Sequence, residues 1–444
     1  MLKVSVIGMG YVGVPLAVVL ASKGYTVAGI QRRSPRSWWK ISWLNLGKSP
    51  FDGEEPMLDE LLLDAVESGG FWATDDYSEI RDSDVVVVSV QTPVTQSKKP
   101  DLSHLDSACR QVGENLSPGT LVCIESTVPP YTTEMFVKPI LEKESGLNVG
   151  VEFNLVFCYE RVTPGRLIEN LLMLPRIVGG YAPECAERGA EFYAGFCEAE
   201  IFKTDLRTAE VSKLVENSHR DVNIAFANEA ALISSSLGVD FYKVREMVNS
   251  LPMRQGPDNP YRNILTPGSG VGGHCLPKDP YLLLHGLKNS EIDYSPSLIP
   301  EARRVNDLMP AVVKKLIDDA LQEAGRRATD SKIGVLGLSY KENTGDPRNS
   351  PTLRLLELLS GSVKVHDPYV SNHMSVKPQP LIDTVLGSDC LVVMTKHSAY
   401  KELELECIAS MMRTRTIVDG RGLFDPEECI EKGFIYRGVG YATH

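Results

Sequence analysis

Lys3-Val4-Ser5-Val6-Ile7-Gly8-Met9-Gly10-Tyr11-Val12-Gly13 stands at the head of the chain and decides how the rest is read. Lys3 to Ile7 is a short β-rich run, and Val14 to Lys23 reads as a helix, so the order is strand, GxGxxG, helix. In that order the glycines permit a tight turn, a close approach to a pyrophosphate and close packing of helix on strand. The helix start adds free N–H groups and a positive dipole end for phosphate. A bare GxGxxG is a weak signal; its position directly after a first strand predicts a dinucleotide site at Gly8, Gly10, Tyr11, Val12 and Gly13.

The second strand, Thr26-Val27-Ala28-Gly29-Ile30, departs from that pattern. An acidic residue is expected at its end to bind the ribose hydroxyls. Gln31 stands there instead, followed by Arg32 and Arg33. Two readings stay open: Gln31 bonds the ribose of NAD and the arginines are solvated, or arginine meets the 2′-phosphate of NADP.

Asp84-Val85-Val86-Val87-Val88-Ser89-Val90 is a continuous apolar run of the kind that a buried parallel strand shows. Gln91-Thr92-Pro93 ends it. Leu121 to Ile124 is the next such strand and ends at Glu125-Ser126-Thr127. Ligands of open α/β sheets lie at the carboxyl ends of strands, which makes Thr92, Pro93, Glu125 and Thr127 candidates to face cofactor or substrate.

The last third echoes the first. Lys332-Ile333-Gly334-Val335-Leu336-Gly337 mirrors Lys3 to Gly8, and Ser388-Asp389 precedes an apolar run as Ser83-Asp84 does. Val363-Lys364-Val365-His366-Asp367-Pro368 and Thr416-Ile417-Val418-Asp419 read as further strands. Lys341, Asp346 and Arg348 follow the first of these strands and Arg421 the last. Cationic clusters at strand ends suit a phosphorylated ligand; solvated loop charges are the bland alternative.

The middle reads as helical. Thr208 to Ser236 has few breakers and an apolar spacing near 3.6. Lys213 and Asn217 share a face there, and Arg220 and Asp221 extend the polar strip. Pro300 to Glu323 is a second long helix, with Pro310 as an expected bend. Between them lies Gly270-Val271-Gly272-Gly273-His274-Cys275-Leu276-Pro277-Lys278-Asp279-Pro280. A thiol near cationic groups loses its proton more readily, and the thiolate is the nucleophile. The alternative is a glycine turn beside a structural cysteine.

The chain has 444 residues, 43% hydrophobic and 23% charged, which suggests an ordinary globular protein of two to four domains. A net charge of −12 argues against a nonspecific nucleic-acid binder and against an anionic membrane surface. Nine scattered cysteines without a CxxC pair make zinc or a redox motif unexpected and fit a reducing, cytoplasmic compartment. No signal peptide is expected, because Met1 leads straight into a strand-like run. No run of about 18 apolar residues suggests a membrane span.

Taken in order, the motifs resemble the UDP-glucose/GDP-mannose dehydrogenase family, and most strongly its UDP-N-acetylhexosamine (N-acetylmannosamine-type) branch. They are Gly8 to Ala17, Pro100 to Ser103, Glu125 to Pro130, Glu160 to Arg166, Arg176 to Gly180, Ala209 to Asn217, Gly272 to Asp279, and Tyr340-Lys341 with Thr344, Asp346, Arg348, Ser350 and Pro351. The resemblance implies an α/β fold with two doubly wound Rossmann-like domains joined by a helical middle domain and a long connecting helix. The expected divisions are an NAD-binding domain at 1–205, a central domain at 206–325 and a UDP-sugar-binding domain at 326–444.

The resemblance also implies a four-electron oxidation of a sugar C6 alcohol to a carboxylate with two NAD⁺. Cys275 would carry the thiohemiacetal and thioester. Lys213 and Asn217 would stabilise charge on the C6 oxygen, and Asp279 would organise the lysine or water. Glu160 would assist proton transfer or hydrolysis, and Thr127 would hold water or contact cofactor. Substrate contacts would come from Glu160, Arg161, Lys213, Asn217, Arg220, Gly272, Gly273, Lys341 and Arg421. Cofactor contacts would come from Gln31, Arg32, Thr92, Pro93 and Arg348. A UDP-sugar substrate, a homodimer or higher homo-oligomer, and a pathway to surface polysaccharide or glycan are expected with it.

Departures from the family pattern are Gln31 with its arginines, Tyr159 before Glu160, Lys278 (a phosphate contact or a solvated charge) and the aromatic stretch Trp38 to Trp43. The sugar stays open among N-acetylhexosamine epimers, with glucose or another NDP-hexose as alternatives. A non-catalytic nucleotide-sugar binder would be expected to lose Cys275, Lys213, Asn217, Asp279 or Glu160 first, yet all are present. A two-electron 3-hydroxyacid-type dehydrogenase would need neither the cysteine nor the C-terminal domain.

Overall fold

The computed structural model describes residues 2–35, 37–51, 55–250, 263–289, 294–373 and 375–441. Two compact units divide the chain: Met1–Glu216 with Lys278–Tyr294, and Asn217–Pro277 with Ser295–His444.

The first unit is built on an eight-stranded sheet. Its strands are β1 (Lys3–Ile7), β2 (Thr26–Ile30), β3 (Phe71–Thr74), β4 (Val85–Val88), β5 (Leu121–Ile124), β6 (Asn154–Phe157), β7 (Arg176–Gly180) and β8 (Ile201–Asp205). Their order is β3-β2-β1-β4-β5-β6-β7-β8, so the direction in which strands are added reverses between β1 and β4. There Ile7 pairs with Ile30 on one side and Val88 on the other.

The apolar run Val85–Val88 is buried throughout because successive side chains point to opposite faces and both are covered. Val85 and Val87 join Val4, Val6 and residues Val14 to Leu20 of helix α1 (Gly13–Ser22) in one core. Val86 and Val88 join Ile7, Val122 and Ile124 in the other. One pairing departs from the parallel scheme: β7 runs antiparallel to β6, with Val156 opposite Gly180 and Phe157 opposite Gly179. Two glycines suit that position, since a Cβ on Gly179 would lie 2.5 Å from the Asp205 carbonyl oxygen and one on Gly180 2.4 Å from the Ala186 nitrogen.

The second unit has five strands, all parallel: β9 (Lys332–Leu336), β10 (Ser362–His366), β11 (Cys390–Val393), β12 (Thr416–Asp419) and β13 (Ile435–Gly438). The order β10-β9-β11-β12-β13 repeats the reversal of the first sheet, as the sequence echo anticipates.

Three helices carry or border the candidate residues. Helix α2 (Leu206–Ser236) has 31 residues and passes from the first unit into the second; α3 (Asp279–Gly286) belongs to the first; α4 (Leu298–Glu323) belongs to the second. Pro310 stays within α4 and is buried there. Asp221 of α2, read as extending a polar strip, is 1% exposed and binds Arg303 of α4 at 2.5 Å. Asn306 bonds the same carboxylate at 2.9 Å and Asn228 at 2.9 Å, so a buried polar seam fastens α4 to α2 within the second unit. Among the described residues no helix is long and apolar enough to cross a membrane.

Just past β10, Asp367 accepts the N–H groups of Leu338 (2.6 Å) and Ser339 (2.8 Å) and meets Nε2 of the buried His397 at 3.2 Å. Burial alone would raise its pKa, but the His397 bond and the backbone donors outweigh that and hold it at about 2. Its stabilising contribution is therefore present above the ordinary carboxylate pKa and is lost as pH falls toward 2. Replacing Asp367 by Asn should cost roughly 2 kcal/mol at pH 7 and progressively less below pH 4. Urea midpoints of the two proteins from pH 7 down to pH 3 measure this; a constant gap would refute it.

Candidate active site

The glycine loop forms at the carboxyl end of β1 because its backbone has no room for side chains. Gly8 has φ +100°, and a Cβ there would lie 2.4 Å from the Ser89 carbonyl oxygen. A Cβ on Gly13 would come within 2.0 Å of the Gly8 carbonyl oxygen, which lets α1 start hard against the strand. Gly10 differs: nothing lies within 4 Å of its missing Cβ, and it opens onto a cavity of about 330 Å³. No side chain caps the start of α1 and its first turn carries no acid, so the positive end of the helix is uncompensated. These features fit a dinucleotide pyrophosphate. Tyr11 stacks on Phe51 with ring centroids 4.3 Å apart.

Gln31 lies at the same cavity and serves the loop, its Oε1 accepting the Met9 N–H at 3.2 Å. Arg32 lines the cavity too, whereas Arg33 reaches Asp75 at 3.8 Å. Ser34, Ser37, Lys40 and Tyr77 complete this end, and the motif reading missed all four. The first three are signalled only by their closeness in sequence to Gln31, and Tyr77 by nothing local.

At the ends of β4 and β5 the two loops are stapled together. Thr92 Oγ1 donates to the Thr127 carbonyl oxygen at 2.5 Å, and Ser126 Oγ accepts the Val90 N–H at 2.9 Å and donates to the Val90 carbonyl at 2.8 Å. Pro93 follows Thr92 directly, and both threonines are buried. Glu125 turns into the core beneath them, where Arg176 (3.3 Å) and Tyr193 (2.9 Å) hold it; burial pushes its carboxyl upward against the pull of Arg176. It supports the loop and does not line the cavity.

Three residues past β6, Glu160 meets α2. Lys213 Nζ donates to the Glu160 carbonyl at 2.6 Å and lies 3.4 Å from its Oε1, while Glu160 Oε2 accepts the Val162 N–H at 2.6 Å. Lys213 is 4% exposed, and its ammonium also lies 5.3 Å from the Tyr159 ring centroid. Tyr159 is pushed up to about 12, by burial first and then by Glu216. Arg161 points to Glu216, with Nη2 at 2.7 Å, and to the Pro175 carbonyl at 2.9 Å. Lys278 is not a solvated charge: it is 6% exposed and donates to Asp279 Oδ1 at 2.7 Å. Asp279, wholly buried, begins α3. Glu210, which motif reading passed over, accepts the N–H groups of Tyr131 (2.7 Å) and Thr133 (2.8 Å), and burial raises it to about 7.

In the second unit the cysteine loop is bound to the loop after β9. Gly273 (φ +88°) donates its N–H to the Arg348 carbonyl at 2.9 Å, and Asn349 Nδ2 donates to the Gly273 carbonyl at 2.9 Å. The space that Gly272 and Gly273 leave is taken by the Tyr340 side chain, 2.6 and 2.8 Å from their missing Cβ atoms. Their close approach is thus to Tyr340 within the unit. Arg348 binds the buried Asp346 at 2.6 Å and remains half-exposed. The Lys341 carbonyl accepts from Ser339 and Thr344, which fixes the turn that carries this lysine. Arg421 is not a solvated loop charge: it donates to the carbonyls of Met394 (3.0 Å) and Gly270 (3.3 Å), and burial lowers its pKa. Asn217 lies one turn beyond Lys213 on α2, and Arg220 is exposed farther along it.

Cys275 is partly exposed, Cys407 exposed and the other seven cysteines buried; no disulfide joins any of them. Burial pushes the thiols of Cys109, Cys158 and Cys429 up to about 12. Among the described residues no three His, Cys, Asp or Glu side chains group as metal ligands.

Three sequence models of one family match the chain in succession. They are the UDP-glucose/GDP-mannose dehydrogenase family NAD binding domain at residues 2–197, its central domain at 207–308 and its UDP binding domain at 334–426. The UDP-N-acetyl-D-mannosamine dehydrogenase of Pyrococcus horikoshii is 40% identical over 443 residues, 99% of each chain. An NDP-N-acetyl-D-galactosaminuronic acid dehydrogenase of Ralstonia nicotianae is 33% identical, covering 95% of this chain and 96% of its own. Among solved structures, the Pyrococcus horikoshii enzyme superposes with a TM-score of 0.89 over 99% of both chains. An NDP-N-acetyl-D-galactosaminuronic acid dehydrogenase from Methanosarcina mazei Go1 is 41% identical and superposes at 0.86, covering 100% of this chain and 96% of that one.

Because overpacking costs about 1–3 kcal/mol, Gly13→Ala should weaken NADH binding by about 5- to 150-fold if that strain falls on the bound loop. Fluorescence titration of NADH measures the effect, with circular dichroism to check the fold; unchanged affinity would exclude this loop as the dinucleotide cradle.

Proposed function

The chain belongs to the UDP-glucose/GDP-mannose dehydrogenase family, and on that premise we propose that it oxidises the C6 alcohol of a UDP-N-acetylhexosamine to the uronic acid, with N-acetylmannosamine the first candidate sugar. The observation that carries this is the buried Lys213 ammonium, held on the Glu160 carbonyl and one helical turn from Asn217. An ammonium kept out of water and already oriented is suited to charge that develops on a substrate oxygen.

Gly8, Gly10, Gly13, Gln31 and Arg32 would hold the dinucleotide, with Thr92, Pro93 and Thr127 at the neighbouring strand ends and Arg348 as a further contact. Bound NAD⁺ supplies the hydride acceptor for both oxidations. Lys213 and Asn217 stabilise the C6 oxygen as its proton leaves and the C6–H bond gives up its hydride, forming the aldehyde. The Cys275 thiolate adds to the aldehyde carbon and forms a C–S bond. The resulting thiohemiacetal loses its hydroxyl proton and carbon-bound hydride to become a thioester. Water then breaks the C–S bond, releasing the acid and regenerating the thiol. Glu160 moves the proton of that water, and Thr127 steadies it. Asp279, paired with Lys278, orders the segment directly after Cys275. Of the expected substrate contacts, Lys341 and the exposed Arg220 are the cations that would meet the UDP-sugar, while Arg161 and Arg421 would order their own loops.

The family's UDP binding domain, matched at 334–426, supports a UDP-linked sugar. The relatives named for mannosamine and galactosaminuronic substrates favour an N-acetylated hexose over glucose. A homo-oligomer is supported by exposed Val215, Phe226 and Ile233 along α2.

The stoichiometry tests this directly. Two NADH should form per UDP-N-acetylmannosamine consumed, with the C2 and C4 epimers run alongside; one NADH per sugar would remove the thioester route. Cys275→Ser should retain sugar binding and lose turnover by at least about 100-fold, and Lys213→Ala should lower kcat by about the same factor with a smaller effect on KM. Turnover of Cys275→Ser at the unmutated rate would sink the covalent mechanism.

A further inference from the structure

The cavity beside the glycine loop has a polarity that an NAD site does not require. Where β2 ends, the carboxylate that would bind the two ribose hydroxyls is replaced by Gln31, an uncharged amide committed to the Met9 N–H and to the Arg32 carbonyl (3.1 Å). No Asp or Glu lines the cavity among the described residues, whereas Arg32 and Lys40 both do, in a chain whose net charge is −12. Two hydroxyls at the cavity lie between these cations in sequence. Ser34 Oγ and Ser37 Oγ are 2.7 Å apart, and Ser37 Oγ donates to the Arg32 carbonyl at 3.0 Å, which ties both serines to Arg32. Lys40 Nζ donates to the Met9 carbonyl at 3.2 Å, bringing its ammonium to the glycine loop. Asp75, the acid that meets this loop, pairs with Arg33 at 3.8 Å and does not line the cavity.

We infer that this end of the cavity receives an adenosine ribose carrying a 2′-phosphate, so that the chain accepts NADP⁺ at least as well as NAD⁺. The inference rests on the reading of the cavity as the dinucleotide site. An aspartate or glutamate in place of Gln31 would repel a dianionic phosphate while binding a ribose diol; Gln31 does neither strongly. Arg32 offers a planar fork and Lys40 a point charge, two complementary ways to bind phosphate oxygens. The serine hydroxyls, whose protons are engaged with each other and with the Arg32 carbonyl, hold the Arg32 backbone in place.

The test is isothermal titration of the full-length protein with 2′,5′-ADP and with 5′-AMP, which differ only in the 2′-phosphate, and with inorganic phosphate as control. The 2′,5′-ADP should bind about tenfold or more tightly than 5′-AMP. That preference should shrink in Arg32→Ala and in Lys40→Ala and reverse in Gln31→Asp, and it should weaken as salt rises. Residual 5′-AMP binding by each variant verifies an intact cleft. Equal binding of the two nucleotides, or a preference that both alanine variants keep, would overturn the inference. If NADH still forms from NAD⁺ in that case, the sugar-oxidation reading survives; if no adenine nucleotide binds at all, both fall.

Discussion

A charge withdrawn from water must be met at once by a partner, and this chain repeatedly meets it at the carboxyl ends of its strands. Glu125 follows β5, Glu160 lies just past β6, Asp367 follows β10 and Asp419 closes β12. Each ties down the loop beside it: Glu125 through Arg176, Glu160 through Lys213, Asp367 through two N–H groups and His397, and Asp419 through the N–H groups of Arg421, Leu423 and Phe424. Removing one partner of a buried ion pair such as Glu125–Arg176 leaves an uncompensated charge, a penalty of about 3–5 kcal/mol. The loops where ligands of α/β sheets gather are therefore fastened by buried carboxylates.

The architecture was legible because it is written in local chemistry. Apolar runs such as Val85–Val88 name a buried strand without help from distant residues, and the spacing of Gly8, Gly10 and Gly13 states that backbone must pass close to backbone. The echo of Lys3 to Gly8 in Lys332 to Gly337 revealed the second sheet for the same reason. Both long helices appeared where the periodicity put them, and the second continued through Pro310.

What escaped the sequence depends on partners far away along the chain. Asp221 reads only as part of a polar strip until Arg303, 82 residues on, is seen to bind it. The openness expected at Gly272 and Gly273 is filled by Tyr340, and nothing within the Gly-Val-Gly-Gly string announces that ring. Arg421 reads as a ligand charge, yet its guanidinium is engaged with the carbonyls of Gly270 and Met394. Lys278 reads as a phosphate contact or a solvated charge, and instead lies buried against Asp279 beside it. The antiparallel β7 left no trace either, because pairing direction is not encoded in the composition of so short a strand.

The unequal burial of the thiols has a consequence for life in an oxidising world. Peroxides and electrophiles attack thiolates that they can reach. Seven of the nine sulfurs are enclosed, and the exposed Cys407 is held in its protonated form first by its hydrogen bond to Glu404. Cys275 is left as the partly exposed sulfur without that hydrogen bond to Glu404, and on the covalent route proposed above it must reach its thiolate. Sulfenic acid there is reversible by reductants, whereas sulfinic acid is not, except by a dedicated repair enzyme. The same accessibility that would let this sulfur meet a carbonyl carbon would also let it meet an oxidant.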